Sequence, residues 1–328
     1  MTKLFKATRQ LNAKNAPKRA ADTEVVLIEV HDRLPGSEMH LRGIARMNYL
    51  HTRYRRAGKI LDEDMLHTLG SAVVDIFHTV DNSEWRTLTD VERCAVGVFH
   101  KALGDAMDIP FAALPSCESG WRDGAQFAQE LCDWIERYES VAVRPAESNR
   151  LIGGQLMELG VWKFPRFLKP FVRRVIAAQL ERHMRVSMGF PEPGVVVIGF
   201  LGAIVAMRRF VLRYLALPRD ESRAVKVLKD TPDSVTGRYT IDLWIAHPWY
   251  VKPTFGNRWG LKAITARLFG DGAMPGDEYG AEGYDLRMIG PVAQEKRGID
   301  DTEAIYTELA QRDYAAGCPF HRPPAVDS

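Results

Sequence analysis

The stretch IARMNYLHTRYRRAGKI, residues 44–60, decides the fold. With Leu41 just before it, Leu41, Ile44, Met47, His51 and Tyr54 fall at steps of three and four, so one side of a helix over residues 41–56 is apolar. Gly58 supplies the stop, because glycine adopts the left-handed turn that ends helices. The same period returns downstream. A second helix starts near Asp62, with Asp62, Glu63 and Asp64 in its first turn, where carboxylates meet the positive end of the helix dipole. Its predicted inner face is Met65, Leu66, Leu69, Ala72, Val73, Ile76 and Phe77. Thr89 and Glu92 form a capping box for a third helix, each side chain satisfying the other's free amide. Val91, Cys94, Ala95, Val98, Phe99, Ala102, Leu103 and Ala106 are expected on its inner face. A fourth runs over about residues 123–139 and buries Phe127, Leu131, Trp134, Ile135 and Tyr138.

Outward from this centre the pattern changes. Residues 21–30, ADTEVVLIEV, are apolar enough to pack. Before them the first nineteen residues hold six basic and no acidic side chains, so residues 1–17 read as a flexible basic start. Residues 162–213 carry ten basic against two acidic residues. Helices are predicted over 167–186 and 195–215, separated by FPEPG at 190–194, whose prolines remove amide donors. The run GVVVIGFLGAIVAM, residues 194–207, is the longest apolar stretch; its fourteen residues are short for a membrane span. It is either a core helix, with Gly199 and Gly202 at close packings, or a peripheral membrane site flanked by arginines. From Pro218 onward short helices and ordered loops are expected to cover a helical body. Strands and helices do not alternate and no repeat occurs, so the fold class is all-α, one helical domain with an irregular C-terminal cover. That domain is expected over residues 18–320, with 321–328 as a tail.

The formal charge of +2 calls for no nucleic acid. Cys94, Cys117, Cys132 and Cys318 lack the C-x-x-C spacing and read as reduced thiols of an intracellular protein. The N-terminus has no apolar run, so neither a signal peptide nor an anchor is expected there. The fingerprints of P-loop, dinucleotide-binding, zinc-protease and serine-hydrolase enzymes are absent. Among nine histidines His51 stands out, on the flank of the apolar stripe. An imidazole facing a core needs a partner, which is either an ordinary hydrogen bond or a haem iron. His67 and His100 also lie within helices, as polar boundary positions or spare donors.

The chain resembles the MpaB oxygenase family and, more distantly, the catalytic domain of bacterial rubber oxygenases (latex clearing protein). The residues that carry the resemblance are RAADT (19–23), residues 44–60, DEDMLHTL (62–69), EWRTLTDVERCAVG (84–97), HKALGDAMDI (100–109) and WIERYE (134–139). MRRFVLRYLALPR (207–219), PWYVKPT (248–254) and GCP (317–319) extend it over about nine tenths of the chain. The resemblance implies a haem-b enzyme that uses dioxygen to oxidise, and cleave, an alkene in a hydrophobic isoprenoid or polyketide. It implies His51 as the iron ligand, with Arg19, Met47 and His67 beside the cofactor and Arg19, Asp22 and Thr23 on the oxygen side.

The chain also departs from the family. Asp22 occupies the lysine position of the rubber oxygenases' Arg-x-x-Lys-Thr segment. A carboxylate ligates such an iron poorly and suits hydrogen bonding or proton transfer better, so the sixth position is expected to be open or water-filled. His67 stands where relatives carry tyrosine, and His100 where tryptophan is expected. The resemblance further implies association with the endoplasmic reticulum, here through the basic, apolar middle rather than a transmembrane anchor. Two other functions fit the same residues. One is a haem-independent dehydratase or cyclase using Asp22 with His67 or His100; the other is a non-catalytic haem or lipid binder.

Overall fold

The computed structural model describes residues 12, 14–220, 223–243, 247–270 and 272–312. The basic start through Arg9, the GCP string with Cys318 and the 321–328 tail lie outside the described residues. Twelve α-helices occur among the described residues, and the only β-structure there is three isolated bridges. The fold is all-α, as the periodicity requires.

The helices are α1 Ala16–Asp32, α2 Glu38–Arg56, α3 Asp62–Ser83, α4 Asp90–Ala106, α5 Gly124–Ala142 and α6 Glu147–Val161. They continue with α7 Lys169–Ala178, α8 Arg182–Met188, α9 Val195–Tyr214, α10 Phe255–Trp259, α11 Leu261–Phe269 and α12 Ile299–Gln311. The predicted α2, α3, α4 and α5 are all present, and Thr89 with Glu92 closes the capping box of α4. Residues 21–30 pack as part of α1. The single helix expected over 167–186 is two, α7 and α8, with Gln179, Leu180 and Glu181 between them. Helix α6 has no counterpart in the sequence reading; Gly153, Gly154 and Gly160 dilute its apolar period.

The main core joins α2, α3, α4, α5 and α12 through Ile44, Leu66, Leu69, Val73, Leu103, Phe127, Leu131, Ile135 and Leu309. The inner face of α4 differs from the expected one. Val91 is 79% exposed, whereas Gly97, His100, Leu103 and Gly104 are buried. The cause is a backbone crossing. Gly97 meets Gly124 of α5 so closely that a Cβ there would lie 1.8 Å from the Gly124 carbonyl oxygen. Two glycines thus turn α4 about its axis and draw His100 inside, where only 1% of it is exposed.

A second cluster, with Val25, Val26, Trp162, Ile241, Tyr250, Val251, Tyr284 and Leu286, lies under the C-terminal cover. Met47 packs against both clusters. The cover has no regular element over residues 272–298 beyond a 3₁₀ turn at Asp277–Tyr279. Buried charges on α1 and α2 hold it. Arg46, fully buried, donates to the carbonyls of Ile289 at 2.7 Å, Arg297 at 2.8 Å and Gln294 at 3.1 Å, and to Thr302 Oγ1 at 3.3 Å. Glu29, also fully buried, accepts from Tyr284 Oη at 2.5 Å and from Arg33 Nε at 2.6 Å.

Helix α9 overturns the core-helix reading of the apolar run. It extends past Met207 to Tyr214, so it is 20 residues long, and apolar enough by length and composition to cross a membrane. Only 6% of its apolar window is buried, and Gly199 and Gly202 face open space.

Arg46→Leu is expected to lower the unfolding free energy by about 3 kcal/mol or more, because it strands three carbonyls, the buried one of Ile289 among them. Arg46→Lys is expected to recover less than half of this, since one ammonium cannot reach all three. Urea titration checks both; an Arg46→Leu chain of wild-type stability would remove Arg46 as the clasp.

Candidate functional site

Arg19 and Thr23 lie one turn apart on α1, and Met47, His51 and Tyr54 share a side of α2; the two helices pack on each other. His51 and Tyr54 both lie within electrostatic reach of the Arg19 charge. Arg19 Nη1 donates to Thr23 Oγ1, and Thr23 Oγ1 donates to the Arg19 carbonyl at 2.8 Å. That exchange holds the guanidinium in one rotamer and leaves its other N–H groups available. Burial pulls Arg19 below its ordinary pKa, against Asp22 and Tyr54.

His51 is half-buried, and its Nδ1 is sealed from solvent with no hydrogen-bond partner. Its pKa falls to about 4, first through burial and then through the charges of Arg19 and Arg55. The imidazole is therefore neutral at physiological pH, with a lone pair for a metal or a donor. An orphaned nitrogen of this kind costs stability unless something satisfies it. Met47 stands one turn before it.

Asp22, one turn from Arg19, takes its hydrogen-bond partners from Lys18 and the C-terminal cover. Its carboxylate accepts from Lys18 Nζ at 2.9 Å and from Tyr250 Oη at 2.6 Å. Lys18 also reaches the Gly290 carbonyl at 3.2 Å and Glu295 at 3.5 Å, with Trp249 at 5.6 Å from its ammonium. Burial pushes the Asp22 pKa up, against the pull of Lys18, Tyr250 and Arg19. Tyr250 holds φ at 62°, a left-handed backbone that costs a bulky residue about 1–2 kcal/mol. The knot of Asp22, Lys18 and Tyr250 keeps it there. A cleft of about 380 Å³ opens beside the knot, between Lys18, Trp249, Tyr250, Met288 and Glu295.

His67 has other company. Its Nε2 bonds Glu139 Oε1 at 2.8 Å, while His183 Nε2 bonds Glu139 Oε2 at 2.7 Å. No described contact of His67 reaches the His51 group. His100 Nδ1 bonds the Val96 carbonyl at 2.8 Å and its Nε2 is buried without a partner; burial takes its pKa to about 4. The structure thus brings Arg19, braced by Thr23, within electrostatic reach of His51, with Met47 one turn from that histidine, and gives Asp22 and His67 hydrogen-bond networks of their own. Lys18 and Tyr250 were missed. The i, i+4 spacing of Lys18 and Asp22 on one helix is the signal that finds the ion pair, and Tyr250 lies within PWYVKPT.

This chain is 35% identical to ER-bound oxygenase mpaB' of Penicillium brevicompactum over 93% of its own length and 72% of that protein. It is 35% identical to ER-bound oxygenase mpaB of the same species over 79% of its length, and 34% identical to that of Penicillium roqueforti over 53%; it spans 59% of each of these two. The chain belongs to the MpaB oxygenase family. Membership makes it an oxidoreductase and sets aside the dehydratase, cyclase and non-catalytic readings. No family model and no solved structure matches it.

Lys18→Met is expected to cost about 3 kcal/mol or more by leaving Asp22 buried and unpaired. The double change Lys18→Met with Asp22→Leu is expected to cost less than Lys18→Met alone. Equal costs in urea titration would mean the pair is not coupled.

The histidines set a pH dependence. His51 and His100 ordinarily titrate near 6.5 and fall to about 4 in the fold. The unfolded chain therefore binds more protons between these values, and their contribution is full above 6.5 and lost as pH falls through 4. Each adds on the order of 1.4 kcal/mol per pH unit in that window. In the cofactor-free chain His51→Phe is expected to flatten the rise of stability with pH by that amount; an unchanged slope would show that His51 protonates freely.

Proposed function

We propose that this protein is a haem-b oxygenase of secondary metabolism, with His51 as the iron ligand. The observation that carries the reading is the neutral His51 imidazole with a buried, orphaned nitrogen beside a fixed arginine, in a chain of an oxygenase family. These residues fit the group. One ring nitrogen of His51 would hold the iron, Met47 would offer an apolar flank, and Arg19 would offer a cation to a propionate or to bound oxygen. When bound, haem supplies activation of dioxygen for oxidation of an alkene.

The residues of the chain perform the rest. Thr23 fixes the Arg19 guanidinium, so its remaining N–H groups are aimed before any ligand arrives and cost no reorganisation during reaction. Burial, and then the charges of Arg19 and Arg55, keep His51 unprotonated, which preserves the lone pair. Asp22, clamped by Lys18 and Tyr250, holds a carboxylate one residue from Thr23 with its pKa raised toward proton exchange. Apolar Met47, one turn from His51 and packed against both core clusters, suits a hydrophobic substrate. We read that substrate as an isoprenoid or polyketide with a double bond, cleaved with dioxygen as oxidant. The relatives are named as ER-bound, and we read a peripheral association with that membrane for this chain.

Purification after haem supplementation is expected to yield a Soret band that His51→Ala removes. Arg19→Ala is expected to keep the band and slow oxygen-dependent turnover by about 100-fold. A band that persists unchanged in His51→Ala would remove His51 as the ligand.

A further inference from the structure

Helix α9 touches the body along one narrow line. Val197 is buried, and Leu201, Val205, Arg209 and Leu212 follow it at steps of four or three as half-buried positions. Every other residue from Val195 to Tyr214 is exposed. Both ends are fastened. At the start, Pro193 and Val197 are buried, and Arg185 of α8 pairs with Glu192 at 2.9 Å. At the far end, Arg208 bonds Glu84 and the Ser83 carbonyl at 2.8 Å, and Arg209 bonds the Glu84 and Asp81 carbonyls at 2.8 and 2.7 Å. Phe200 meets Phe171 of α7 at 5.7 Å, which continues the apolar surface onto a neighbouring helix. A helix seated along its length and bolted at both ends lies flat on the body. Its uncharged part, residues 195–207, is roughly 20 Å long, against the ~30 Å of a hydrocarbon core.

The surroundings of this apolar face are cationic. Helix α9 has no acidic residue, and α7 adds Lys169 and Arg174, with Arg173 paired to Glu158 at 2.6 Å. At the far end a cleft of about 400 Å³ opens between Trp85, Arg86, Arg209, Phe210, Arg213 and Tyr214. Its two carboxylates are already matched, Asp81 by Arg93 and Glu84 by Arg208. Arg213 has only the Tyr214 ring against it among the described residues, at 5.4 Å. Aromatic side chains next to arginines suit the depth of lipid head groups.

We propose that α9 docks this protein flat into one leaflet of an anionic membrane, with its apolar face among the acyl chains and the Arg213 cleft holding a lipid phosphate. The proposal deepens the peripheral association read above and rests on it. The membrane is inserted into, not crossed. Burial of the exposed Val196, Ile198, Phe200, Ile204 and Met207 side chains drives insertion, and the arginines select the lipid.

Flotation of the full chain with vesicles tests this. Vesicles of phosphatidylcholine with about one third phosphatidylserine are expected to bind it well above phosphatidylcholine alone, less so at high salt. Ile198→Glu with Ile204→Glu is expected to weaken binding roughly tenfold or more. Arg213→Gln is expected to weaken binding roughly fivefold on anionic vesicles and not on neutral ones. All variants change exposed side chains, and circular dichroism confirms their folding. Bound protein is expected to leave the vesicles in alkaline carbonate. Resistance to carbonate would overturn flat docking in favour of a span. A stable dimer in solution that Ile198→Glu dissolves, with no vesicle binding, would assign the face to a second copy and overturn the proposal. The Soret band of the same variants is expected to be unchanged, so failure here and failure of the haem reading are separable.

Discussion

Buried charge on the first two helices is the constraint on which this molecule depends. Arg46, Glu29 and Asp22 have almost no exposure, and each takes at least one partner from the C-terminal cover. Their partners are the carbonyls of Ile289, Gln294 and Arg297, the Tyr284 hydroxyl, and the Lys18 ammonium with the Tyr250 hydroxyl. A desolvated charge costs several kcal/mol unless fully hydrogen-bonded. An irregular segment with little regular hydrogen bonding of its own is therefore drawn onto α1 and α2 by the carbonyls and hydroxyls that it can offer. Removing a clasp leaves both sides unsatisfied.

The candidate site follows from the same arrangement. Helix α1 gives Asp22 and Glu29 partners in the cover, and one turn before Asp22 it carries Arg19, whose charge reaches His51. The clasp of Asp22 thereby fixes the rotation of α1, and that rotation places Arg19 near His51. One helix carries both the structural ion pair and the arginine of the candidate site. The raised Asp22 carboxyl and the lowered His51 imidazole have a common cause, loss of water, acting on groups of opposite charge type. Family membership supplies the oxygenase class, and the placement of Arg19, Thr23, Met47 and His51 supplies residues that can serve it.

Much of this was legible in the sequence where the signal was local. The RMNYLH stripe, the capping box at Thr89 and Glu92, and the stop at Gly58 are set by neighbours within one or two turns, and all appear as read. His51 was singled out from the same stripe. Val91 and His100 were misplaced because the rotation of α4 depends on the approach of Gly97 to Gly124, twenty-seven positions away. Helix α9 was read from apolarity, which is the same for a core helix and a lipid-facing one. Apolarity states what a helix avoids and not what covers it.

The sequence by itself determined that this is an all-α chain with one stop and one cap at defined places, a histidine on an apolar stripe, and an oxygenase family pattern. Only the tertiary structure decided that Asp22 is clamped by Lys18 and Tyr250, that His67 shares Glu139 with His183, and that α9 stays uncovered. The reason is the range of the interactions. Helix periods and caps are settled over about four residues. A buried charge takes whatever partner the fold delivers, here 228 positions from Asp22 to Tyr250 and 243 from Arg46 to Ile289.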